Sequence, residues 1–212
     1  MITFIDVQHA GKRGRRIRDR GAWGDWSGDG QTDYLELEAA QTLLLGAKLM
    51  QRIWELGPDY SAIMLTDGWY SERHKRCNEY AGSDLCVYLA LHFNALRGPR
   101  VTRRSGRYAS VFFDHRSAAS RGPRVAGSIC VELERNLPEI SEAKSIPARS
   151  DNWTKRAYST ISGLGGRIVG LCIEAAFIDQ RDHLPIFDPS GEGLDRIARS
   201  VVDGIVKWRN SN

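Results

Sequence analysis

The 212-residue chain predicts a three-layer αβα single domain, residues 1–212, with a twisted, mostly parallel central sheet flanked by helices. Two observations carry this. Short apolar runs of strand length alternate with amphipathic stretches of helical period. Three of those runs, Ile2 to His9, Asp84 to His92 and Ile168 to Glu174, deliver a histidine or a carboxylate to a strand end. Open α/β sheets place their chemistry at that carboxyl edge.

Ile2 to Val7 reads as the first strand, ending at His9. Gly11 to Gly30 is rich in Gly and charge, carries Trp23 and Trp26, and is expected to be a long functional loop. A helix is predicted from about Asp33 to Trp54, with Leu35, Leu43, Leu45, Leu49 and Ile53 on its apolar face. Ser61 to Thr66 follows as a strand that turns at Asp67-Gly68, and Ser71 is a candidate N-cap for a helix reaching Ala81. After the His92 strand, Arg97 to Gly106 is a second basic loop, Tyr108 to Phe113 is rich in β-formers, and Val125 to Asn136 has helical period. Pro138 to Ser162 is polar and reads as an irregular covering segment. Ile168 to Ile173 is the last core strand, and Gly193 to Trp208 closes the fold as a helix with Leu194, Ile197, Val201, Ile205 and Trp208 on one face.

Hydrophobic and charged contents of 42% and 26% are those of an ordinary globular protein, and no apolar run approaches the roughly 20 residues of a membrane span. The N-terminus enters a strand at once without a signal-peptide pattern, so cytoplasmic synthesis is expected. The cysteines, Cys77, Cys86, Cys130 and Cys172, form no close pair and read as buried thiols in a reducing compartment. Lys12, Arg13, Arg15, Arg16, Arg18 and Arg20 stand against the single acid Asp19. Such a run suits an anionic partner or a solvated loop, and it lacks the aromatic interleaving of a base-stacking surface, so no specific nucleic acid is expected.

From residue chemistry, His9 and His92 with one or more of Glu36, Glu38 and Glu174 form a zinc set. Strand-end histidines are also commonly structural, and no short spacing such as His-Glu-x-x-His is present. His74, His115 and His183 lie in charged stretches and read as surface residues.

The order of motifs resembles the zinc-dependent N-acetylmuramoyl-L-alanine amidases of the cell-wall hydrolase type, the amidase 3 family, over nearly the whole chain. That family's Asp-x-Gly-His-Gly-Gly is matched by Asp6-Val7-Gln8-His9-Ala10-Gly11, and its Gly-Ala dipeptide by Gly21-Ala22. Its helix pattern of Glu, Leu five on and a small residue three further falls on Glu38, Leu43 and Gly46. Arg73 and Asn78 repeat its Arg with Asn five residues on, Ser83 to Ala95 echoes its histidine strand, and Glu174-Ala175-Ala176-Phe177 stands for its closing Glu-x-Gly-Phe. Gln8 and Ala10 replace glycines, so either glycine torsions are unnecessary here or the loop takes another path.

The resemblance implies that His9, Glu38 and His92 bind one Zn²⁺, with the Leu43 register preferring Glu38 to Glu36, and that Glu174 is the catalytic acid/base. The implied reaction is hydrolysis of the amide between N-acetylmuramic acid and L-alanine in peptidoglycan. Asn94 and Arg73 are candidate substrate-binding residues, with Asn94 alternatively orienting His92 or forming a turn. A monomeric endolysin of prophage type, acting at the wall or periplasm once released and touching anionic envelope polymers through the Lys12 to Arg20 loop, is the expected setting. Two alternatives stay open: a zinc amidohydrolase of small acyl amino acids, and a non-catalytic wall-binding relative.

Overall fold

A computed structural model describes residues 1–9, 12–13, 16–17, 21–22, 35, 37–82, 85–95, 108–116 and 121–211. Six strands form the central sheet: β1 (Ile2–Val7), β4 (Ser61–Leu65), β5 (Cys86–Asn94), β6 (Tyr108–Asp114), β7 (Glu142–Ala148) and β8 (Ile168–Phe177). Two further strands, β2 (Lys12–Arg13) and β3 (Arg16–Ile17), make a small antiparallel pair. The sheet order is β4-β1-β5-β8-β6-β7, with β4, β1, β5 and β8 mutually parallel. β6 runs antiparallel to β8 and β7 parallels β6. The mostly parallel sheet matches the expectation.

Helices cover both faces, so the central strands are buried on both sides and read as continuous apolar runs. On one face α1 (Glu38–Glu55), α3 (Arg121–Asn136) and α5 (Glu192–Asn210) pack Leu49, Ile129 and Val201 against Ile5, Leu89 and Ile173. On the other, α2 (Tyr70–Tyr80) and α4 (Lys155–Ile161) pack Cys77, Ala81, Ala157 and Ile161 against Phe4, Tyr88 and Cys172. Gly46 lets α1 approach β1 closely, since a Cβ there would lie 2.5 Å from Val7 Cγ1. Among the described residues, no helix is long and apolar enough to cross a membrane. All four cysteines are buried and none is in a disulfide.

Several expectations need correction. Pro138 to Ser162 is not irregular: it contains β7 and α4. β7 is an edge strand with mostly exposed residues, Glu142, Lys144 and Ser145 among them, and Pro147 near its end, so it lacks the apolar run that marks a central strand. α1 begins at Glu38 and turns Leu45, Leu49 and Ile53 inward but leaves Leu43 exposed, Leu35 is exposed ahead of the helix, and α2 starts at Tyr70 with Trp69 rather than Ser71 at its N-cap. His74 and His183 are buried, not superficial. His74 Nε2 lies 2.7 Å from the Thr160 carbonyl, and His183 Nδ1 accepts the Phe177 N–H at 2.9 Å. Burial holds the His74 imidazole below its usual pKa despite that contact. His115 is half-buried, with Nδ1 2.9 Å from the Ala148 carbonyl. Trp23, Trp26, Glu36 and the Arg97 to Gly106 loop lie outside the described residues.

Candidate active site

Parallel strands β1, β5 and β8 end at one edge of the sheet and carry His9, His92 and Glu174 there. His92 and Glu174 are register partners across β5 and β8. His9 follows β1 in a left-handed conformation, φ 63°, which a β-carbon disfavours. The structure therefore places the strained residue at the histidine itself. Thr42 Oγ1 donates to the Gln8 carbonyl at 2.8 Å and ties this turn to α1.

Glu38 opens α1, where the helix N-terminus favours a carboxylate. Ala22 clamps it: the Ala22 N–H donates to Glu38 Oε2 at 2.6 Å, and the Glu38 N–H donates to the Ala22 carbonyl at 2.8 Å. The Phe93 N–H donates to Oε1 at 3.0 Å. Gly21 makes this clamp possible. It has φ 69°, and a Cβ there would stand 2.4 Å from Glu38 Oε2 and 2.9 Å from His9 Cγ.

Three donor atoms converge. His9 Nε2 lies 3.2 Å from His92 Nδ1, His92 Nδ1 lies 3.0 Å from Glu38 Oε1, and His9 Nε2 lies 3.4 Å from the same oxygen. A tetrahedral zinc ion with its usual N and O distances holds donor atoms roughly 3.3–3.6 Å apart, so this triangle is close to the required size. The Glu38 side chain is 4% exposed, whereas His9 and His92 are 20% and 16% exposed, leaving an open approach. His92 Nε2 is buried without a hydrogen-bond partner among the described residues. Electrostatics also suits a cation. Burial opposes charge on His92, yet Glu38, Glu174 and Asp6 together raise its pKa. Burial likewise opposes charge on Glu38, and His92 and His9 outweigh it to hold that carboxyl below its usual range.

Glu174 stands beside this triangle, half-buried, and accepts a 2.9 Å hydrogen bond from Asn94 Nδ2. Asn94 Oδ1 in turn accepts the Ala95 N–H at 2.8 Å, which fixes the amide's orientation. Asn94 thus orients Glu174 rather than His92. Burial raises the Glu174 carboxyl pKa, and the charge on Glu38 adds to the rise while His92 opposes it.

Arg73 is placed differently. It is buried on α2, ion-pairs with Asp6, and donates from Nε to the Asp67 carbonyl at 3.0 Å. Gln8 Nε2 and the Tyr88 hydroxyl also donate to Asp6. Burial raises the Asp6 pKa, and Arg73 and Tyr88 oppose the rise. An acid inside an apolar strand run must be paired, so the sequence carried the signal for this anchor. Arg73→Met should cost about 3–5 kcal/mol by stranding a buried carboxylate. The loss belongs to the ionised form of Asp6, whose pKa burial already raises, so it is largest above that pKa and shrinks as acid protonates Asp6. Urea unfolding at pH 7 and pH 5 checks this; a KM increase with unchanged stability would make Arg73 a substrate contact instead.

Gly21→Ala should displace the Glu38 carboxylate and lower zinc affinity by about 10–100-fold, as loss of ligand-orienting contacts typically does. Chelator competition measures it, and wild-type affinity would contradict the clamp.

No family model and no curated protein sequence matches the chain. Solved structures do. An N-acetylmuramoyl-L-alanine amidase from Clostridium difficile 630 matches with TM-score 0.72 and 16% identity over 100% of this chain and 97% of that one. The N-acetylmuramoyl-L-alanine amidase AmiC2 of Nostoc punctiforme matches at 0.68 and 16%, covering 99% and 97%. The catalytic domain of an endolysin targeting Clostridia difficile matches at 0.59 and 18%, covering 97% and 95%. With TM-scores of 0.68 and 0.72 and near-complete mutual coverage, the chain has the fold of the N-acetylmuramoyl-L-alanine amidases.

Proposed function

We propose that the chain is a zinc-dependent amidase that hydrolyses the bond between N-acetylmuramic acid and L-alanine in peptidoglycan. The observation that supports it most is the triangle of His9 Nε2, Glu38 Oε1 and His92 Nδ1 beside a half-buried Glu174. Those three residues would hold one Zn²⁺, which when bound acidifies water and polarises a carbonyl oxygen.

The chain's own groups supply the remainder. Glu174, aimed by Asn94, accepts a proton from the attacking water and returns it to the departing amine of L-alanine, which leaves poorly unprotonated. Glu38, held by the Ala22 and Phe93 amides, keeps the imidazoles in position.

In this reading residues 1–212 act as one monomeric catalytic domain. The fold of the endolysin neighbour supports a cell-wall lytic setting, with action at the wall or periplasm. The Lys12 to Arg20 segment, mostly outside the described residues, would meet anionic envelope polymers.

The test is release of L-alanine amino termini from purified peptidoglycan. New amino termini without new reducing sugars, abolished by a chelator and restored by zinc, are expected. Hydrolysis confined to small acyl amino acids would move the assignment to a soluble amidohydrolase, and binding without hydrolysis to a wall-binding relative.

A further inference from the structure

The reacting edge has a sidedness. Along β5, Cys86, Tyr88 and Ala90 face the core under α2 and α4, and the two-residue period carries His92 to the same face. Along β8, Cys172 faces that core and Glu174 follows it. Substrate reaching His92 and Glu174 therefore lies over the α2 side of the sheet, at the end where α2 begins.

That end carries an exposed aromatic pair. Trp69 is 43% and Tyr70 37% exposed, and their rings meet edge to face with centroids 6.0 Å apart. The pair lies at the same edge of the sheet as the site, since β4 runs parallel to β1, β5 and β8. Arg73, one helical turn below Trp69, reaches Asp6 on β1, and His9 lies three residues beyond Asp6. β4, which leads into Trp69, is the immediate neighbour of β1.

The backbone beneath these rings is tightly fixed. Gly68 takes φ 80°, and the Asp67 carbonyl accepts Arg73 Nε at 3.0 Å and Arg76 at 2.7 Å. Arg76 also ion-pairs with the Asp67 carboxylate at 2.9 Å, and the Trp69 N–H donates to Glu72 Oε2 at 2.7 Å. A turn this constrained presents large aromatic surface at small ordering cost. Tyr70 also rims an open cavity of about 540 Å³ between α2 and α4, whose wall includes Ser71, Lys75, Glu79 and Ser159. Exposed aromatic faces with a hydroxyl nearby, here Ser71, suit a sugar ring, with its apolar C–H face and hydroxyl edge.

We propose that Trp69 and Tyr70 form a saccharide platform that seats an N-acetylhexosamine ring of the glycan strand while the attached peptide amide lies at Glu174. This rests on the amidase reading above and adds a glycan specificity to it. Arg73 then acts through others, as a positioning residue that sets the height of the platform.

The experiment compares wild type with Trp69→Ala and with Tyr70→Ala. One readout is kcat/KM on a disaccharide-bearing muropeptide relative to a sugarless lactyl-L-alanyl peptide. The other is binding of N-acetylglucosamine oligomers, followed by ligand NMR line broadening on protein whose circular dichroism matches wild type. The preference for the glycan-bearing substrate should fall about tenfold or more in Trp69→Ala, mainly through KM, and the line broadening should weaken in parallel. Trp69→Phe, which keeps an aromatic face and the same backbone, should recover part of both. Equal losses on both substrates, or wild-type broadening in Trp69→Ala, would overturn the platform. If wild type hydrolyses neither substrate, the amidase reading fails, while oligomer binding lost in Trp69→Ala still supports the platform.

Discussion

Glu174→Gln is expected to keep zinc at one ion per chain while lowering turnover by about 10²–10⁴-fold, the usual contribution of a positioned general acid/base. Glutamine preserves the shape and the partnership with Asn94 but accepts no proton. The loss should therefore fall on kcat, with KM little changed. The sign of the pH dependence follows from the same group. Glu174 works as base only when ionised, and the charge of a bound Zn²⁺ would oppose the rise in pKa that burial causes, so wild-type activity should fall on the acid side as that carboxylate takes up its proton. That acid limb should be absent from the residual activity of Glu174→Gln. Turnover within threefold of wild type would remove Glu174 from the reaction.

His92→Ala should lose both zinc and turnover. The variant deletes one corner of the donor triangle and leaves Glu38 with His9 alone. Two ligands hold zinc poorly, and structural or catalytic sites use three or four. Thermal unfolding gives a readout independent of substrate. Zinc at one hundred times its Kd stabilises a protein by about 2.7 kcal/mol, which in a domain of this size raises Tm by roughly 5–11 °C. Wild type should show that shift and lose it with a chelator, and His92→Ala should show none. Stoichiometric zinc retained in His92→Ala would overturn the ligand set.

Central strands and strand-end chemistry were legible in the sequence because burial on both faces demands continuous apolar residues. A histidine or carboxylate ending such a run stands out against it. β5 and β8 were read this way, and so was the α5 face of Leu194, Ile197, Val201, Ile205 and Trp208, all buried. β7 was not legible, since an edge strand half open to water has no such run. Leu35 and Leu43 misled the reading of α1 for the opposite reason: apolar residues are common on surfaces, so period alone does not say which face is inward. His74 and His183 sit in charged stretches whose neighbours point to water, while the imidazoles turn inward to backbone partners.

The sequence by itself determined the α/β class, the sheet edge at which the chemistry gathers, and the candidate set His9, Glu38, His92 and Glu174. Periodicity and burial act locally, and motif order preserves their sum. Only the tertiary structure decided the roles of their neighbours: Asn94 orienting Glu174, Arg73 compensating Asp6, and Gly21 making room for Glu38. Each of those depends on contacts between residues distant in sequence, and sub-ångström approach and local field are set by how helices dock on the sheet.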